Sequence, residues 1–253
     1  MIVLAEYLSK YRISHHLNQG ITIANVADAD AGIALSKDIL YESISSKSTL
    51  YLSGGRTPQK LYEQLAQEEA LRPGSVGMVD ERYGKKFHGN SNEKMLRETG
   101  FLRYLEMINI PFFPILQNEA SREETAEIYD EKVRHLTATF PESVAILGIG
   151  TDGHTSSIAP NRKGFMNPLF ETERNHLLVS EFNDPKSFYG ERVGMTFLGL
   201  SMIDLNIVLV FGQDKKDAID ALFSDGKEEE LPARFFKRTE IAQKTLFITD
   251  QNV

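Results

Sequence analysis

Short apolar runs rich in β-branched residues alternate along the chain with longer stretches in which apolar residues recur every three or four positions. The first pattern is typical of buried strands and the second of helices that bury one face. Strands are predicted at Thr49–Leu52, Val76–Val79, Val144–Leu147, Ile207–Phe211 and Thr245–Ile248, with weaker candidates at Ile21–Asn25, Phe113–Ile115 and Leu177–Ser180. Helices are predicted at Ala29–Ser45, Pro58–Glu68, Asn92–Thr99, Ser121–Thr139 and Lys215–Phe223. The alternation favours an α/β protein with helices packed on a mostly parallel sheet.

The length of 253 residues and the hydrophobic content of 41% are typical of one α/β domain, so residues 1–253 are interpreted as a single unit. Within it, the stretch from Pro160 to Pro185 also carries Gly164 and Pro168 among polar residues. This composition indicates a long surface excursion, interpreted as a lid or small subdomain.

Composition excludes several classes of function. The net charge of −8 comes from scattered acidic residues, and no basic block is present to neutralise a nucleic-acid backbone. The absence of cysteine excludes disulfides and thiolate chemistry. No apolar run approaches the roughly 20 residues that a bilayer crossing needs, and no secretory leader is visible. We expect a cytoplasmic protein, either a monomer or a small homo-oligomer, that binds neither nucleic acid nor membranes.

Four of the five main predicted strands are followed at once by a polar or glycine-rich loop. These loops are Ser53–Pro58, Asp80–Tyr83, Gly148–Ser157 and Gly212–Lys216. Because the carboxyl ends of parallel strands meet at one edge of a sheet, we expect the four loops to line one crevice.

The first loop has the features of an anion site. Gly54 and Gly55 let the backbone pass close to a ligand, while Thr57 suits the N-cap and Pro58 the first position of a helix. A helix start offers free N–H groups to an anion, and Arg56 adds a charge-assisted contact. The loop lacks the Gly-Lys-Ser/Thr of a nucleotide P-loop. A capped strand-to-helix turn without a ligand is the alternative.

The second and fourth loops add charged side chains. Asp80 follows a strand and can accept a proton or hold sugar hydroxyls, and Arg82 would keep a neighbouring acid ionised. Lys215 opens a helix and could place its ammonium on a phosphate, with Arg192 a weaker candidate of the same kind. Solvated surface charges are the alternative for each.

The third loop, residues 148–157, carries the strongest chemical signal. Its Gly-x-Gly-x-x-Gly spacing formally matches a dinucleotide fingerprint, but Pro160 and Asn161 interrupt the helix that should follow, so we reject that interpretation. Instead, His154 lies on a tight turn with Asp152 two residues away to orient it. A histidine titrates near neutral pH and suits the activation of water. The other histidines show no ligand spacing, so no metal site is predicted.

Taken together, these motifs resemble the 6-phosphogluconolactonase family and, more distantly, the glucosamine-6-phosphate deaminases that share its fold. The resemblance spans roughly residues 20–250. It rests on Ser53-Gly54-Gly55-Arg56-Thr57-Pro58, Asp80-Glu81-Arg82 with Ser91-Asn92, Gly148-Ile149-Gly150-Thr151-Asp152-Gly153-His154-Thr155-Ser156, Arg192-Val193-Gly194-Met195-Thr196, and Gly212 to Lys215.

The resemblance implies a three-layer αβα fold with a Rossmann-like sheet, and hydrolysis of 6-phosphogluconolactone in the pentose phosphate pathway. It implies that His154 is the base and that Asp80 and Asp152 position the histidine or the sugar hydroxyls. The phosphate of a phosphorylated sugar lactone would bind at the first loop with Lys215 and Arg192. No cofactor is required.

Two departures separate this chain from relatives of the family. Lactonases of this type usually have serine where Arg56 stands, and deaminases have a glutamate where Ala159 stands. Without a carboxylate at 159, a deaminase or isomerase with Asp80 as its base is the weaker alternative. A sugar-phosphate sensor that has lost turnover is a third hypothesis.

Overall fold

The computed structural model describes residues 4–116, 120–160, 176–184, 187 and 190–253. Its helices lie at Leu4–Lys10 (α1), Ala29–Ser43 (α2), Arg56–Glu68 (α3), Asn92–Glu98 (α4), Phe101–Met107 (α5), Arg122–Thr139 (α6), Phe197–Ser201 (α7), Lys216–Phe223 (α8) and Thr239–Ala242 (α9), with 3₁₀ turns at Gln213–Lys215 and Pro232–Lys237. Its strands lie at His15–Asn18 (β1), Ile21–Asn25 (β2), Ser48–Leu52 (β3), Ser75–Met78 (β4), Asp80–Arg82 (β5), Glu142–Gly148 (β6), Val179–Asn183 (β7), Glu191–Met195 (β8), Leu205–Val210 (β9) and Thr245–Thr249 (β10).

Seven strands form the main sheet in the order β1-β2-β10-β9-β6-β3-β4. All neighbours pair in parallel except the edge pair β1 and β2. Every residue of β3, β9 and β10 is buried, so both faces of the sheet are covered. The predicted α/β fold with a mostly parallel sheet is confirmed.

Strand order reverses beside the centre of the main sheet. From β3 the chain passes to β4 on one side, and then returns to place β6 on the other side of β3. The loops that leave β3 and β6 therefore diverge from neighbouring strand ends, which opens a crevice between them.

A second, antiparallel sheet has the order β5-β8-β7. The sequence pattern predicts a loop at residues 80–83, and this prediction is wrong because Asp80–Arg82 is a strand. The single residue Val79 joins the two sheets. Its N–H donates to the carbonyl of Leu52 at the end of β3 (2.9 Å), and its own carbonyl accepts from Met195 of β8 (2.8 Å).

The five predicted helices and the five main predicted strands are present, with ends displaced by up to two residues. Helix α6 begins at Arg122, one residue after the predicted start, and Ser121 is its N-cap and forms a capping box with Glu124. The weaker strand at Phe113–Ile115 is wrong. Next to it, Phe112 forms an isolated bridge with Val76: Val76 donates its N–H to the carbonyl of Pro111 (2.9 Å), and Phe113 donates its N–H to the carbonyl of Val76 (2.8 Å). The prolines at 111 and 114 have no N–H with which to continue a ladder.

The predicted excursion at 160–185 lies mostly outside the described residues, since 161–175 and 185 are among the positions not described. Its last part contains β7, which extends the weak strand predicted at Leu177–Ser180. Among the described residues, no helix combines the length and apolar character that a membrane crossing needs.

Candidate active site

A cleft of about 590 Å³ lies at the carboxyl ends of the parallel strands, where the strand order reverses. Nine of the ten predicted site residues line it: Gly54, Gly55, Arg56, Thr57, Asp80, Arg82, His154, Arg192 and Lys215. The tenth, Asp152, lines a smaller adjoining cavity that shares His154 and Arg192 with the cleft. The structure therefore brings all four loops to one crevice, as expected from the parallel sheet.

The imidazole of His154 is held by its neighbour. Its Nδ1 lies 2.6 Å from Oδ1 of Asp152, and the same oxygen accepts the His154 backbone N–H (3.2 Å). The side chain is 44% exposed, so the pair does not withdraw it from solvent. A Cβ on Gly150 would lie 2.0 Å from Nδ1, so this loop can hold the imidazole here only with glycine at that position. With Nδ1 engaged, Nε2 is the nitrogen left for chemistry.

Hydrogen bonds fix the loop that carries the histidine. Gly150 N–H donates to the His154 carbonyl (2.9 Å), and the Thr155 hydroxyl donates to the carbonyl of Gly148 (3.0 Å). From outside the loop, Ala233 donates its N–H to the carbonyl of Gly153 (3.0 Å). The position of His154 is thus set by hydrogen bonds within the loop and by one hydrogen bond from Ala233, which is distant in the sequence.

The first loop starts its helix earlier than predicted. Gly55 is the N-cap with φ +112°, a backbone conformation suited to glycine, and α3 begins at Arg56. Thr57 and Pro58 are therefore the second and third residues of the helix, so their predicted places as N-cap and first helical residue are wrong by two positions. The side chain of Arg56 is exposed at the cleft, and within the described ranges it makes no ion pair or hydrogen bond.

Two arginines lie side by side on the second sheet. Arg82 of β5 and Arg192 of β8 are paired residues of an antiparallel ladder, so their side chains project from the same face. Burial lowers the pKa of the Arg192 guanidinium, as does Arg82, while Asp80 and nearby aspartates oppose that shift. Two like charges that share a face at the cleft favour an anionic partner between or beside them.

Comparison with known proteins places these features in a family. A family model described as glucosamine-6-phosphate isomerases/6-phosphogluconolactonase matches residues 29–247. The chain belongs to this family. The resemblance inferred from the motifs of residues 53–58, 80–82 and 148–156 is thereby confirmed.

Relatives within the isomerase/lactonase family are named 6-phosphogluconolactonase. That of Pseudomonas aeruginosa is 30% identical over 196 residues, covering 76% of this chain and 78% of that protein. That of Rhizobium meliloti is 27% identical and covers 88% and 93%. Among solved structures, 6-phosphogluconolactonase from Thermotoga maritima is 26% identical with a TM-score of 0.67, covering 90% of this chain and 97% of that one. A monomeric glucosamine-6-phosphate deaminase shares the fold at 19% identity, with a TM-score of 0.64 and coverage of 90% and 96%.

In this member of the family, Asn92 connects the start of α4 to β5 and was not singled out for any role from sequence. Its Nδ2 donates to the carbonyl of Asp80 (2.9 Å), and its Oδ1 accepts from the guanidinium of Arg82. It is 1% exposed and lines the cleft. The signal in the sequence was its place at the start of a helix directly after Ser91, an N-cap residue, but only the structure shows its partners.

Glu81 follows Asp80 on β5 but, unlike Asp80, does not line the cleft. Glu81 is fully buried and accepts from the N–H groups of Arg82, Asn92 and Glu93 and from the hydroxyl of Ser91, at 2.7–2.9 Å. Burial raises the pKa of this carboxyl, while the four hydrogen bonds act in the opposite direction. Glu81 therefore ties the start of α4 to the second sheet.

The fourth loop is held by an acid that sequence reasoning missed. Gly212 donates its N–H to the carboxylate of Asp250, at 3.0 and 3.2 Å to the two oxygens. This contact links the end of β9 to the end of β10 and places the 3₁₀ turn that carries Lys215 at the cleft. Among the described residues, the Lys215 ammonium has no hydrogen-bond or ion-pair partner.

Proposed function

We propose that this protein hydrolyses 6-phosphogluconolactone to 6-phosphogluconate, the lactonase step of the pentose phosphate pathway. The observation that carries the proposal is the His154–Asp152 pair, at 2.6 Å, beside a cleft lined by Arg56, Arg192 and Lys215. The names of the relatives support the same reaction. A base and a group of cations in one cleft match a substrate that carries both a hydrolysable carbonyl and a phosphate.

His154 acts as the general base in this proposal. Asp152 accepts a hydrogen bond from the Nδ1–H group of the ring. In this tautomer Nε2 carries no proton and can take one from water. The resulting hydroxide adds to the lactone carbonyl, and backbone N–H groups of the third loop hold the developing oxyanion. The carbon–oxygen bond to the ring oxygen then breaks, and His154 returns its proton to that oxygen. Water is consumed and no other reactant is needed.

The phosphate binds at the start of α3. The backbone N–H groups of Arg56 and Thr57 belong to the first turn of this helix, where no intrahelical acceptor exists. Arg56 and Lys215 have side chains without partners among the described residues, so both charges are available to a phosphate. Arg192 contributes from the opposite side of the cleft.

Asp80 has a different task from Asp152. Its Oδ2 accepts from Ser157, and it lies near Arg192 rather than on the imidazole. We assign it to the hydroxyl groups of the sugar, which an ionised carboxylate can bind strongly. Arg82, held by Asn92, lies beside it as a further polar contact for the substrate.

An assay of acid release from freshly prepared 6-phosphogluconolactone tests the proposal. The protein should open the lactone faster than the spontaneous reaction, and His154→Ala should lower kcat by about 10³-fold, the order expected for loss of a general base. Calorimetry should show that the variant still binds 6-phosphogluconate. An active His154→Ala protein would contradict the role of the base, and a wild-type protein no faster than the spontaneous reaction would contradict the activity.

The isomerase or deaminase alternative is not favoured. Ala159 lies 3% exposed beside His154 in the smaller cavity, and its methyl group cannot assist the opening of a sugar ring. Ammonia release from glucosamine-6-phosphate would reverse this preference. In the described part of the chain, no three His, Asp or Glu side chains cluster as a metal site would require, and the expected independence from cofactors stays a prediction. The cytoplasmic location and the oligomeric state also stay predictions.

A further inference from the structure

One hydrogen bond joins the histidine loop to the second sheet. The hydroxyl of Ser157 donates to Oδ2 of Asp80 at 2.6 Å, and both residues are buried, at 3% and 8% exposure. The short distance is typical of a hydroxyl that donates to an ionised carboxylate. The two residues stand 77 positions apart in the sequence, so the contact exists only in the folded cleft.

The backbone at this point is strained. Thr155 and Ile158 exchange two hydrogen bonds, at 3.2 and 2.8 Å, which makes Ser156 and Ser157 the two central residues of a tight hairpin turn. Both have positive φ, +47° and +67°. Turns of this kind prefer asparagine and glycine, because a side chain at positive φ meets its own backbone. Turn geometry alone would favour glycine at 157, and the hydroxyl contact supplies a reason for serine.

The main chain of Asp80 is fixed independently of Ser157. Pairing with Gly194 of β8 sets its backbone, and Asn92 holds its carbonyl. The side chain, by contrast, has Ser157 as its hydrogen-bond donor among the described residues, and this donor takes only Oδ2. Ser157 therefore sets the orientation of the carboxylate and leaves Oδ1 for another partner.

We propose that Ser157 is a positioning residue, which fixes the carboxylate of Asp80 so that its second oxygen meets a hydroxyl of the sugar. The inference rests on the proposed lactonase function, in which Asp80 binds the substrate. In the observed turn the hydroxyl reaches Asp80 from a backbone with φ +67°, so this hydrogen bond offsets part of the cost of the strained conformation.

Three variants distinguish the effect of the Ser157 hydroxyl on activity from the effect of the backbone conformation of the turn. Ser157→Ala and Ser157→Gly should each lower kcat/KM by about tenfold, because a hydrogen bond to a charged group is lost. Ser157→Gly should melt at a temperature at least as high as Ser157→Ala, since glycine suits the backbone. Ser36→Ala is the control for loss of a buried serine hydroxyl: this hydroxyl donates to the carbonyl of Gly32 within α2 (2.6 Å) and does not line the cleft, so activity should stay within about twofold of the wild type. Full activity in Ser157→Gly would overturn the proposal, because only the shape of the turn would then matter.

A double-mutant cycle with Asp80→Asn tests whether Ser157 acts through Asp80. If it does, adding Ser157→Ala to Asp80→Asn should lower kcat/KM by less than about twofold further. A full tenfold further loss would show that the serine acts elsewhere and would overturn the inference. Calorimetry with 6-phosphogluconate supplies a readout without turnover: Ser157→Ala should weaken binding several-fold, and unchanged binding would contradict the role. Failure of the wild type to open the lactone would instead count against the proposed function.

Discussion

The two sides of the cleft are built in different ways. One side, which we call the loop wall, consists of Arg56, His154 and Lys215 on loops that follow parallel strands. The other, the strand wall, consists of Asp80, Arg82 and Arg192 on paired strands of the second sheet. On the loop wall both cations lack partners in the described part of the chain, whereas on the strand wall Asn92, Ser157 and the ladder itself hold the side chains.

The difference separates two requirements of the proposed reaction. A phosphate is a compact dianion, and flexible cationic side chains can adjust to its position, since electrostatic attraction tolerates small changes in distance. Sugar hydroxyls must instead be met in one orientation for the carbonyl to lie at the base. We therefore expect the strand wall to be sensitive to small changes of shape and the loop wall to tolerate them, with His154 as the exception.

The largest effect should follow from removing the hydrogen bonds that hold the strand wall to α4. Glu81→Gln replaces one carboxylate oxygen by an amide NH₂ group, itself a donor, so two of the four buried donors lose their acceptor. We expect the free energy of unfolding to fall by about 3 kcal/mol. Denaturant titration at neutral pH measures it, and a loss below about 1 kcal/mol would mean that the strand wall does not depend on this carboxylate.

His154 is the residue of the loop wall that we expect to be sensitive to small changes, and replacing its partner Asp152 tests this expectation. In Asp152→Asn the amide can present its NH₂ group to the ring, which favours the wrong tautomer of His154. We expect kcat to fall by about 10²-fold with KM nearly unchanged, because the phosphate contacts remain. Steady-state kinetics corrected for spontaneous opening gives both constants. A variant that changes KM alone would indicate that Asp152 binds substrate rather than orienting the base.

Conservative exchanges on the two walls compare them directly. Arg192→Lys should raise KM by about tenfold, because a single ammonium cannot reproduce the directed contacts of a guanidinium fixed on a strand. Lys215→Arg should change KM by less than about threefold, because a cation on an exposed turn can adjust. Both are read from the same lactone assay. Equal losses in the two variants would remove the distinction between the walls.

The smallest effect is expected at Glu93, a second buried acid. It lies in the first turn of α4 beside the hydrogen bonds of Glu81. Glu93 is 1% exposed, and among the residues that the structure describes neither of its carboxylate oxygens has a hydrogen-bond partner. Within the same ranges, Lys86 and Arg97 form ion pairs with it, at 3.9 and 3.7 Å. Burial raises the pKa of this carboxyl above its ordinary 4.5, and the two cations oppose the rise.

A raised pKa fixes the sign of the pH dependence. The folded protein keeps the Glu93 proton at pH values where the unfolded chain has lost it, so stability from this group is full below pH 4.5 and is lost as pH rises through the raised pKa. Glu93→Gln cannot ionise, so it should match the wild type near pH 4 and exceed its unfolding free energy by about 1 kcal/mol at pH 8. Melting curves across pH test this, and a less stable variant at pH 8 would contradict it.

Sequence patterns predicted the loop wall better than the strand wall. The loops that carry Arg56, His154 and Lys215 follow apolar runs that read as buried strands, and convergence of parallel strand ends is a general rule. The strand β5 was missed because Asp80, Glu81 and Arg82 are polar and show no apolar alternation. Their extended conformation comes from pairing with β8, which is distant in the sequence, and the local sequence pattern does not indicate that pairing.

The finer contacts were also beyond local pattern. Gly55 ended up as the N-cap in place of Thr57 because its positive φ lets the chain turn two residues earlier. The role proposed for Ser157 depends on one long-range hydrogen bond to Asp80, and that of Asn92 on bonds to Asp80 and Arg82. Residue type can indicate that a side chain is able to donate, but the identity of the acceptor is a property of the folded chain.

The junction at Val79 has a consequence for which sugars can bind. One peptide unit on its amino side is anchored to the parallel sheet, and its carbonyl is anchored to the antiparallel one, so Asp80 sits one covalent step from both. Sliding of one sheet over the other would therefore have to break one of these two hydrogen bonds before Asp80 could move away from the sheet core. We therefore expect Asp80 to keep its place relative to the sheet when different sugars bind, so that selection among sugars depends on its fixed carboxylate.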